Sequence, residues 1–234
     1  MIKYLILLIS LSTTLSAQVV LPTYQGVQYV SSIEPVYCAS AGGVATDVTD
    51  VTSPTGKIWM DRNLGATRAA TSNTDANAYG DLYQWGRFTD GHQCRTSSTT
   101  STLSSTDVPG NALFILSGRD WRSPQNANLW QGVNGTNNPC PSGYRLPTSA
   151  EWDAERLSWS SNNAVGAFAS PLKLQMAGYR NNTSGGNITN SGSDGYYWSS
   201  TVSTSQSIDI WIGGATALPS HNRSMGFTVR CIKN

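Results

Sequence analysis

The stretch PTSAEW, at residues 147–152, is the strongest local signal for the fold, because it marks the start of a helix. Thr148 can accept a hydrogen bond from the backbone of the first helical turn, and Glu151, three residues later, can bond back to the backbone of Thr148. This reciprocal capping box, preceded by a proline, is typical of a helix N-terminus. We therefore predict a helix from residue 149 to about residue 159.

One face of this predicted helix carries large side chains. Trp152, Arg156 and Trp159 follow at intervals of four and three residues, which places them on the same side of a helix. Two tryptophans on one helix face most often belong to a buried core. We interpret them as core residues, with a ligand-binding role as the alternative.

The C-terminal part of the chain predicts two β-strands. The segments YYWSST, at residues 196–201, and SIDIWI, at residues 207–212, are rich in aromatic and β-branched residues. Alternation in the second segment places its three isoleucines on the buried face of a sheet and Ser207, Asp209 and Trp211 on the outward face. An outward tryptophan beside a carboxylate indicates a partner that covers it, and the alternative is a loop of the same domain.

The rest of the chain predicts short elements separated by long loops. The spacing of apolar residues predicts a short helix over residues 76–88. Further strands or β-rich segments are predicted at residues 26–36, 44–51, 57–60, 172–179 and 226–232. Stretches rich in Ser, Thr, Asn, Gly and Pro predict loops at residues 93–111, 132–143 and 181–195. The fold class is therefore α+β.

The N-terminus predicts export. Lys3 precedes an apolar run at residues 4–11 that is too short to span a bilayer, and small residues follow as far as Ala17. This pattern predicts a signal peptide over residues 1–17, and the alternative is an uncleaved N-terminal anchor. The protein is accordingly expected to be secreted or held at the cell surface, without membrane insertion after cleavage.

Composition and charge exclude several classes of partner. Loss of residues 1–17 leaves 217 of the 234 residues, with 14 Lys and Arg against 14 Asp and Glu once Lys3 is removed. The remaining chain has enough tryptophan and tyrosine to build a core, so disorder is a poor interpretation. Because it is neutral and has no long run of like charge, neither nucleic acid nor an anionic membrane is an expected partner.

Four cysteines predict two disulfides. Cys38, Cys94, Cys140 and Cys231 form an even set in a chain that is expected to be exported, and they can pair in three ways. We favour Cys140 with Cys231 and Cys38 with Cys94. The spacing contains no Cys-x-x-Cys pair and the chain has two histidines, so we predict no metal site built from these residues.

Four ordered motifs give a resemblance to a known family. They are GKIWMDRNLGA at residues 56–66, CPSGYRLPT at 140–148 with the following EW, YWSST at 197–201 and GFTVRC at 226–231. Together they resemble the Fibrobacter succinogenes major paralogous domain, which looks like a formylglycine-generating-enzyme-like branch of the C-type lectin fold. The resemblance covers residues 51–234 and implies two helices, a small twisted antiparallel sheet and long irregular loops. Residues 18–50 would then form a β-rich lead-in.

The resemblance does not imply catalysis. Formylglycine-generating enzymes share the RLPTxxEW and GFxxR motifs but use two nearby C-terminal cysteines to bind copper, and here only Cys231 lies in that region. The iron-dependent sulfoxide synthases of the same fold group need a cluster of histidines, which His92 and His221 do not supply. We therefore predict a protein that is not an enzyme and that needs no cofactor.

Two acid–arginine pairs are the remaining candidates for catalysis, and calcium is the remaining candidate metal. Asp61 with Arg62 and Glu151 with Arg145 could act in acid–base chemistry, but we interpret them as ion pairs or helix caps. The tripeptides of calcium-dependent lectins, EPN or QPD followed by WND, do not occur. A structural calcium held by loop oxygens stays open, since such ligands need no compact motif.

A second resemblance bears on ligand binding. Residues 197–231 are also similar to the C-terminal variable region of retroelement-diversified proteins, in which the exposed face of the last strands and loops carries the ligand-binding residues. Carried over to this chain, the candidate ligand-binding residues are Ser203, Ser205, Ser207, Asp209, Trp211, His221, Asn222, Arg223 and Met225. The implied ligand is a surface protein or a glycan.

Two functions follow as hypotheses. We favour a ligand-binding surface module, of the kind used in adhesion, that binds through the C-terminal face. The alternative is a structural subunit of an exported layer or filament that self-associates through residues 18–50.

Overall fold

A computed structural model describes residues 34–234. The predicted signal peptide at residues 1–17, and residues 18–33 of the predicted lead-in, lie outside the described residues. Within the described part, no helix is long and apolar enough to cross a membrane.

The described residues contain two α-helices, which lie next to each other in the sequence. α1 spans Ser149–Leu157 and α2 spans Ala164–Ala169, and single turns of 3₁₀-helix occur at Ala39–Ala41, Ala76–Ala78 and Ser184–Gly186. The predicted capping box is confirmed, because the Thr148 hydroxyl accepts from the Glu151 backbone at 3.2 Å and the Glu151 carboxylate accepts from the Thr148 backbone at 2.8 Å. α1 ends two residues before the predicted boundary. α2 was not predicted, and it is capped by the side chain of Asn163.

The strands are short except for one hairpin. They are β1 (Asp50–Thr52), β2 (Ile58–Met60), β3 (Tyr83–Gln84), β4 (Thr99–Thr100), β5 (Phe114–Ile115), β6 (Tyr144–Arg145), β7 (Tyr179–Arg180), β8 (Ile188–Thr189), β9 (Gly195–Ser203), β10 (Gln206–Ile212), β11 (Thr216–Ala217), β12 (Ser220–His221), β13 (Gly226–Phe227) and β14 (Ile232–Lys233). The α+β class is confirmed. The predicted strands at residues 57–60, 196–201 and 207–212 are present as β2, β9 and β10.

The described strands form three open antiparallel sheets of four strands each, instead of one small sheet. Their orders are β1-β2-β14-β6, then β9-β10 with β11 and β12 along the other edge of β10, and β3-β13-β7-β8. β4 and β5 form a separate parallel pair. The C-terminal segment links two of the sheets, because β13 and β14 belong to different ones.

Three predicted elements are wrong, and the first is the strand predicted at residues 44–51, of which only residues 50 and 51 lie in a strand, β1. Residues 76–88 are not a helix: after the 3₁₀ turn the chain becomes extended and β3 pairs with β13. Gly80 and Gly86 adopt positive φ angles of 69° and 84°, which end any helical run, and a Cβ at Gly80 would lie 2.3 Å from the Leu64 carbonyl oxygen. Most of the predicted strand at residues 172–179 is buried chain without strand pairing, and only its end belongs to β7.

The predicted strand at residues 226–232 is interrupted in its middle. Arg230 turns inward there and is completely buried. Its guanidinium donates to the side chain of Asn63 at 2.7 and 3.0 Å and to the backbone carbonyl of Leu172 at 2.6 Å. The chain therefore leaves one sheet after β13 and joins the next at β14, with the buried arginine between them.

The long hairpin of β9 and β10 divides the buried core into two clusters. Tyr197, Ile210 and Ile212 pack with Trp152 on the side of the helices. The neighbouring residue Trp198 belongs to the other cluster. Trp152 and Trp159 are both buried, so the interpretation of these tryptophans as core residues is confirmed.

Both disulfides are present with the favoured pairing. Cys38 is bonded to Cys94, and Cys140 is bonded to Cys231. The first attaches the segment before β1 to the loop after β3. The second attaches the C-terminal segment to the loop before α1, as expected.

Candidate ligand-binding face

The hairpin of β9 and β10 presents two faces of opposite character. Cross-strand pairing places Tyr196 opposite Trp211 and Trp198 opposite Asp209, so these four residues share one face. The other face, with Ile210, packs toward the helices. The predicted division of β10 is therefore correct for Ile210 and Ile212 on one face and Asp209 and Trp211 on the other, whereas Ile208, at the register shift, is only partly buried and lies outside the core cluster.

The second face is not open along its whole length, which corrects the sequence-based expectation. Phe227 covers its centre, with its ring stacked on Trp198 at a centroid distance of 4.3 Å. Ser207 and Asp209, on the same face, are completely buried. The alternative considered for this face, coverage by the same domain, holds at these two positions, whereas Trp211 stays partly exposed.

Arg223 is also buried and is used inside the fold. Its Nε donates to the Ser207 hydroxyl at 3.2 Å, and its guanidinium lies over the Trp85 ring at 4.6 Å. A carboxylate of Asp120 is 3.6 Å from the guanidinium. Arg223 and Ser207 therefore hold the segment after β12 against the hairpin, and neither is placed to contact a ligand.

β9 contains a bulge opposite Ile208. Ser207 pairs with Val202 and Asp209 with Trp198, so one residue of β10 lies opposite three residues of β9. The extra residues, 199–201, bond to the start of α1: the Ser200 backbone donates to the Pro147 carbonyl at 2.8 Å, and the Thr201 hydroxyl accepts from the Ser149 backbone at 2.9 Å. The capped helix and the hairpin thus fix each other.

Asp209 and His221 form a hydrogen-bonded pair beside Phe227, the residue that covers the centre of the face. The Nδ1 of His221 is 2.7 Å from one Asp209 oxygen, while the other oxygen is buried without a hydrogen-bond partner in the described structure. Burial raises the pKa of Asp209 to about 6, and the hydrogen bond to His221 opposes this rise. The side chain of His221 is 31% exposed, so the ring is oriented by a buried acid and reaches solvent.

Around this pair lies a group of partly exposed side chains that we call the aromatic face. Its members are Tyr179, Tyr196, Trp211, His221 and Met225. The Tyr196 ring is 4.9 Å from Tyr179 and 6.0 Å from His221. Tyr179, Tyr196 and Met225 pack on the buried cluster beneath them. The rings are therefore held by neighbours on a paired sheet and still reach solvent.

The nine predicted binding residues fall into three groups. Trp211, His221 and Met225 belong to the aromatic face, and Asp209 lies directly beneath it. Ser207 and Arg223 are buried in the fold.

The remaining three residues lie toward the turn. Ser203 and Ser205 flank the turn of the hairpin, five strand positions or about 17 Å from Trp211. Asn222 is partly exposed and accepts from the Gln206 side chain at 3.3 Å. These residues do not join the aromatic face.

Tyr179 and Tyr196 were not among the predicted binding residues. Tyr196 could have been found from the strand pattern, because it lies two residues before Trp198 in the same strand and therefore on the same face. Tyr179 could not, because it comes from a separate strand, β7, whose position next to β9 is a property of the tertiary structure.

Comparison with protein-family models, curated proteins and solved structures finds no match to this chain. The geometry of the face is therefore the basis for interpretation.

The chemistry available at the aromatic face is that of contact and hydrogen bonding. Burial raises the pKa of Tyr196 to about 12, so its hydroxyl stays protonated near neutral pH. In the described part of the chain no serine, threonine or cysteine side chain bonds to His221, and no three His, Cys, Asp or Glu side chains are grouped to hold a metal ion. The face offers aromatic surface, a thioether and an oriented imidazole.

The two acid–arginine pairs noted in the sequence lie elsewhere and are structural. Asp61 accepts from Arg62 at 2.7 Å, and Arg145 holds both oxygens of Glu151 at 2.7 and 2.8 Å. Arg145 and the backbone of Thr148 lower the pKa of Glu151 to about 2 against the opposing effect of burial. This carboxylate is therefore ionised and engaged in the helix cap.

Proposed function

We propose that this protein is an exported, non-catalytic ligand-binding module that recognises a protein or a glycan through the aromatic face. The observation that supports it is a set of partly exposed aromatic rings whose positions are fixed by a paired sheet. Rigid aromatic side chains offer large contact area at low cost in conformational entropy, which is why they dominate recognition surfaces.

Two further features support this proposal. The four motifs resemble the Fibrobacter succinogenes major paralogous domain, and the two helices, antiparallel sheets and long loops are compatible with the C-type lectin-like fold that we propose for residues 51–234. The chain has two disulfides, which are typical of exported proteins, and this agrees with the proposed signal peptide.

The test is a binding screen with the protein lacking residues 1–17 on glycan and surface-protein arrays. For a ligand found in the screen, we expect Trp211→Ala and His221→Ala each to weaken binding at least about tenfold, since each removes a contact from the face. Ser205→Ala is the matched control, because Ser205 lies at the other end of the hairpin and should leave binding unchanged.

Circular dichroism and thermal unfolding show whether the variants remain folded. Binding that survives both substitutions in folded protein would exclude the aromatic face as the recognition site. Equal losses in all three variants would point to the hairpin as a whole.

A second candidate, self-assembly through the lead-in, is favoured by one observation. Val36, Val44 and Val48 are 49%, 60% and 47% exposed, and all three lie in the described part of residues 18–50. Exposed apolar residues in one segment can mark an interface between proteins.

Truncating residues 18–50 would remove Cys38 and its disulfide, so substitutions are a sharper test of assembly. If the lead-in mediates assembly, the double variant Val44→Ser with Val48→Ser should be monomeric where the unmodified protein self-associates in light scattering. Leu157→Ser is the matched control, because Leu157 is 69% exposed on α1, outside the lead-in. A monomeric unmodified protein would exclude this candidate.

A further inference from the structure

A cavity of about 320 Å³ lies between the lead-in and the main domain, and none of its lining residues belongs to the aromatic face. Its walls come from residues 35–48, residues 138–141, and the segment around β3. Cys38 and Cys140 both line it, so each disulfide fixes one wall. Tyr37, Val44 and Val48 are exposed at its rim, which gives access from solvent. This volume is at the small end of the range of ligand pockets.

One buried carboxylate, that of Asp81, lies among these walls. Asp81 is only 3% exposed, yet its side chain makes no hydrogen bond or ion pair in the described part of the chain. Burying a carboxylate without a partner is costly. Arg95 lowers the pKa of Asp81 through its charge, but its guanidinium donates to the backbone carbonyls of Gly80 at 2.7 Å and Ala177 at 2.9 Å.

The position of this carboxylate depends on a glycine. A Cβ at residue 65 would lie 2.2 Å from the carboxylate carbon of Asp81, and Gly65 itself lines the cavity with a φ of 80°. Only glycine provides this space and adopts this backbone conformation without strain. Gly65 therefore leaves the space that the Asp81 carboxylate occupies at the cavity wall.

The remaining lining defines the ligand that the cavity can hold. Most of it is apolar or aromatic, including Val44, Val48, Phe88 and Pro139, and Tyr37 adds a ring at the rim. A single carboxylate is too few ligands for a calcium or magnesium ion. A carboxylate among aromatic and aliphatic walls instead suits an organic cation, which gains both an ion pair and contact with the rings.

We propose that this cavity binds a primary ammonium group carried on an apolar body, with Asp81 as the counter-ion. The ammonium group would supply the hydrogen-bond donors that Asp81 lacks, and the apolar body would fill the space between the lead-in and Phe88. The source of the ammonium group is either a small amine or a lysine side chain of another protein.

The first test is calorimetric titration of the protein lacking residues 1–17 with benzylamine and with benzyl alcohol, its uncharged analogue. We expect benzylamine to bind with a Kd of about 1 mM or tighter, and benzyl alcohol at least about tenfold more weakly. Asp81→Asn should reduce the affinity for benzylamine at least about tenfold. Asp153→Asn, at a partly exposed position on α1 where the carboxylate pairs with Arg156, is the matched control and should bind as the unmodified protein does.

The pH dependence of binding gives a second readout. Burial raises the pKa of Asp81 to about 7, and Arg95 opposes this rise. Tyr37 and Tyr83 also line the cavity, and burial raises the pKa of Tyr83. His92 packs on Tyr83 and is bonded to Asp90, and burial lowers the pKa of His92 to about 4, below the pH range of the experiment. Benzylamine stays protonated from pH 5 to pH 8, so its affinity should increase over this range as Asp81 ionises. Asp81→Asn should remove that increase.

A capped lysine peptide, acetyl-Gly-Lys-Gly-amide, distinguishes the two sources. Tighter binding of the peptide than of benzylamine indicates a lysine side chain, and the reverse indicates a small amine. Equal affinities for benzylamine and benzyl alcohol, no detectable binding of either amine, or unchanged affinity in folded Asp81→Asn would overturn the proposal. Trp211→Ala should leave amine binding intact, so this result is independent of the aromatic face.

Discussion

Several buried polar residues at the centre of the fold lower its stability but fix the positions of neighbouring groups. Asp209 is completely buried with one unpartnered oxygen, and it orients the ring of His221 at the aromatic face. Arg230 is buried without a carboxylate partner among residues 34–234, and burial lowers its pKa to about 10. Its hydrogen bonds to Asn63 and to backbone carbonyls satisfy the guanidinium instead. The motif residues Asn63 and Arg230 therefore hold the scaffold together rather than contact a ligand.

The charge of Asp209 should make stability fall as pH rises. Its pKa is about 6 in the folded protein and near 3.8 when unfolded, so the folded state binds the proton more tightly. The stabilisation is complete below pH 4 and is lost as pH rises through 6. Urea unfolding should show that the native protein loses up to about 3 kcal/mol between pH 4 and pH 7 relative to Asp209→Asn. Identical pH profiles for the two proteins would contradict this account.

At the scale of elements, indole groups connect strands and helix. Trp152 of α1 donates from its ring nitrogen to the Trp198 carbonyl of β9 at 3.2 Å. Trp198 in turn donates to the Tyr83 carbonyl of β3 at 2.8 Å, and Trp85 donates to Ser199 at 2.9 Å. Because most strands are only two or three residues long, such bonds between side chain and backbone contribute much of the connection between sheets.

The capping box at α1 gives a prediction for a single element. Thr148→Ala removes the acceptor for the Glu151 backbone and should lower the free energy of unfolding by about 1 kcal/mol. Ser149→Ala is the control, because it keeps the backbone bond to Thr201 and should change stability by less than about 0.5 kcal/mol. Chemical denaturation compares the two, and equal losses would show that the cap contributes little.

At the scale of the whole molecule, the disulfides compensate for irregular structure. Long loops separate the described strands, most of which are only two or three residues long. The pair Cys140 and Cys231 closes a sequence separation of 91 residues, and Cys38 and Cys94 close one of 56. Cross-links over such distances restrict the unfolded chain and position the walls of the cavity at Asp81.

Removing one disulfide should therefore destabilise the entire fold. The double variant Cys140→Ala with Cys231→Ala should lose about 2–5 kcal/mol of stability, and the variant lacking Cys38 and Cys94 a comparable amount, because the loop entropies differ by only about 0.4 kcal/mol. Thermal unfolding at fixed pH measures both. An unchanged melting temperature in either variant would show that the cross-linked segments are held by packing alone.

Local patterns predicted the elements whose signals are complete within one segment. The capping box located α1, aromatic and β-branched residues located the strands of residues 196–201 and 207–212, and alternation in the second assigned Ile210 and Ile212 to the buried face. The helix predicted at residues 76–88 failed because residues 81–87 are all buried, so the spacing of their apolar members does not indicate one helix face, and because two glycines with positive φ interrupt the segment.

The sequence by itself determined the α+β class, the two-sided hairpin and an even set of cysteines, because hydrophobic period and capping act over a few residues. Only the tertiary structure decided that Phe227 and Arg223 bury Ser207 and Asp209, leaving Tyr179, Tyr196, Trp211, His221 and Met225 partly exposed. It also decided that Gly65 makes room for the carboxylate of Asp81. Coverage and close approach depend on residues far apart in the chain, and no local pattern records which segments will meet.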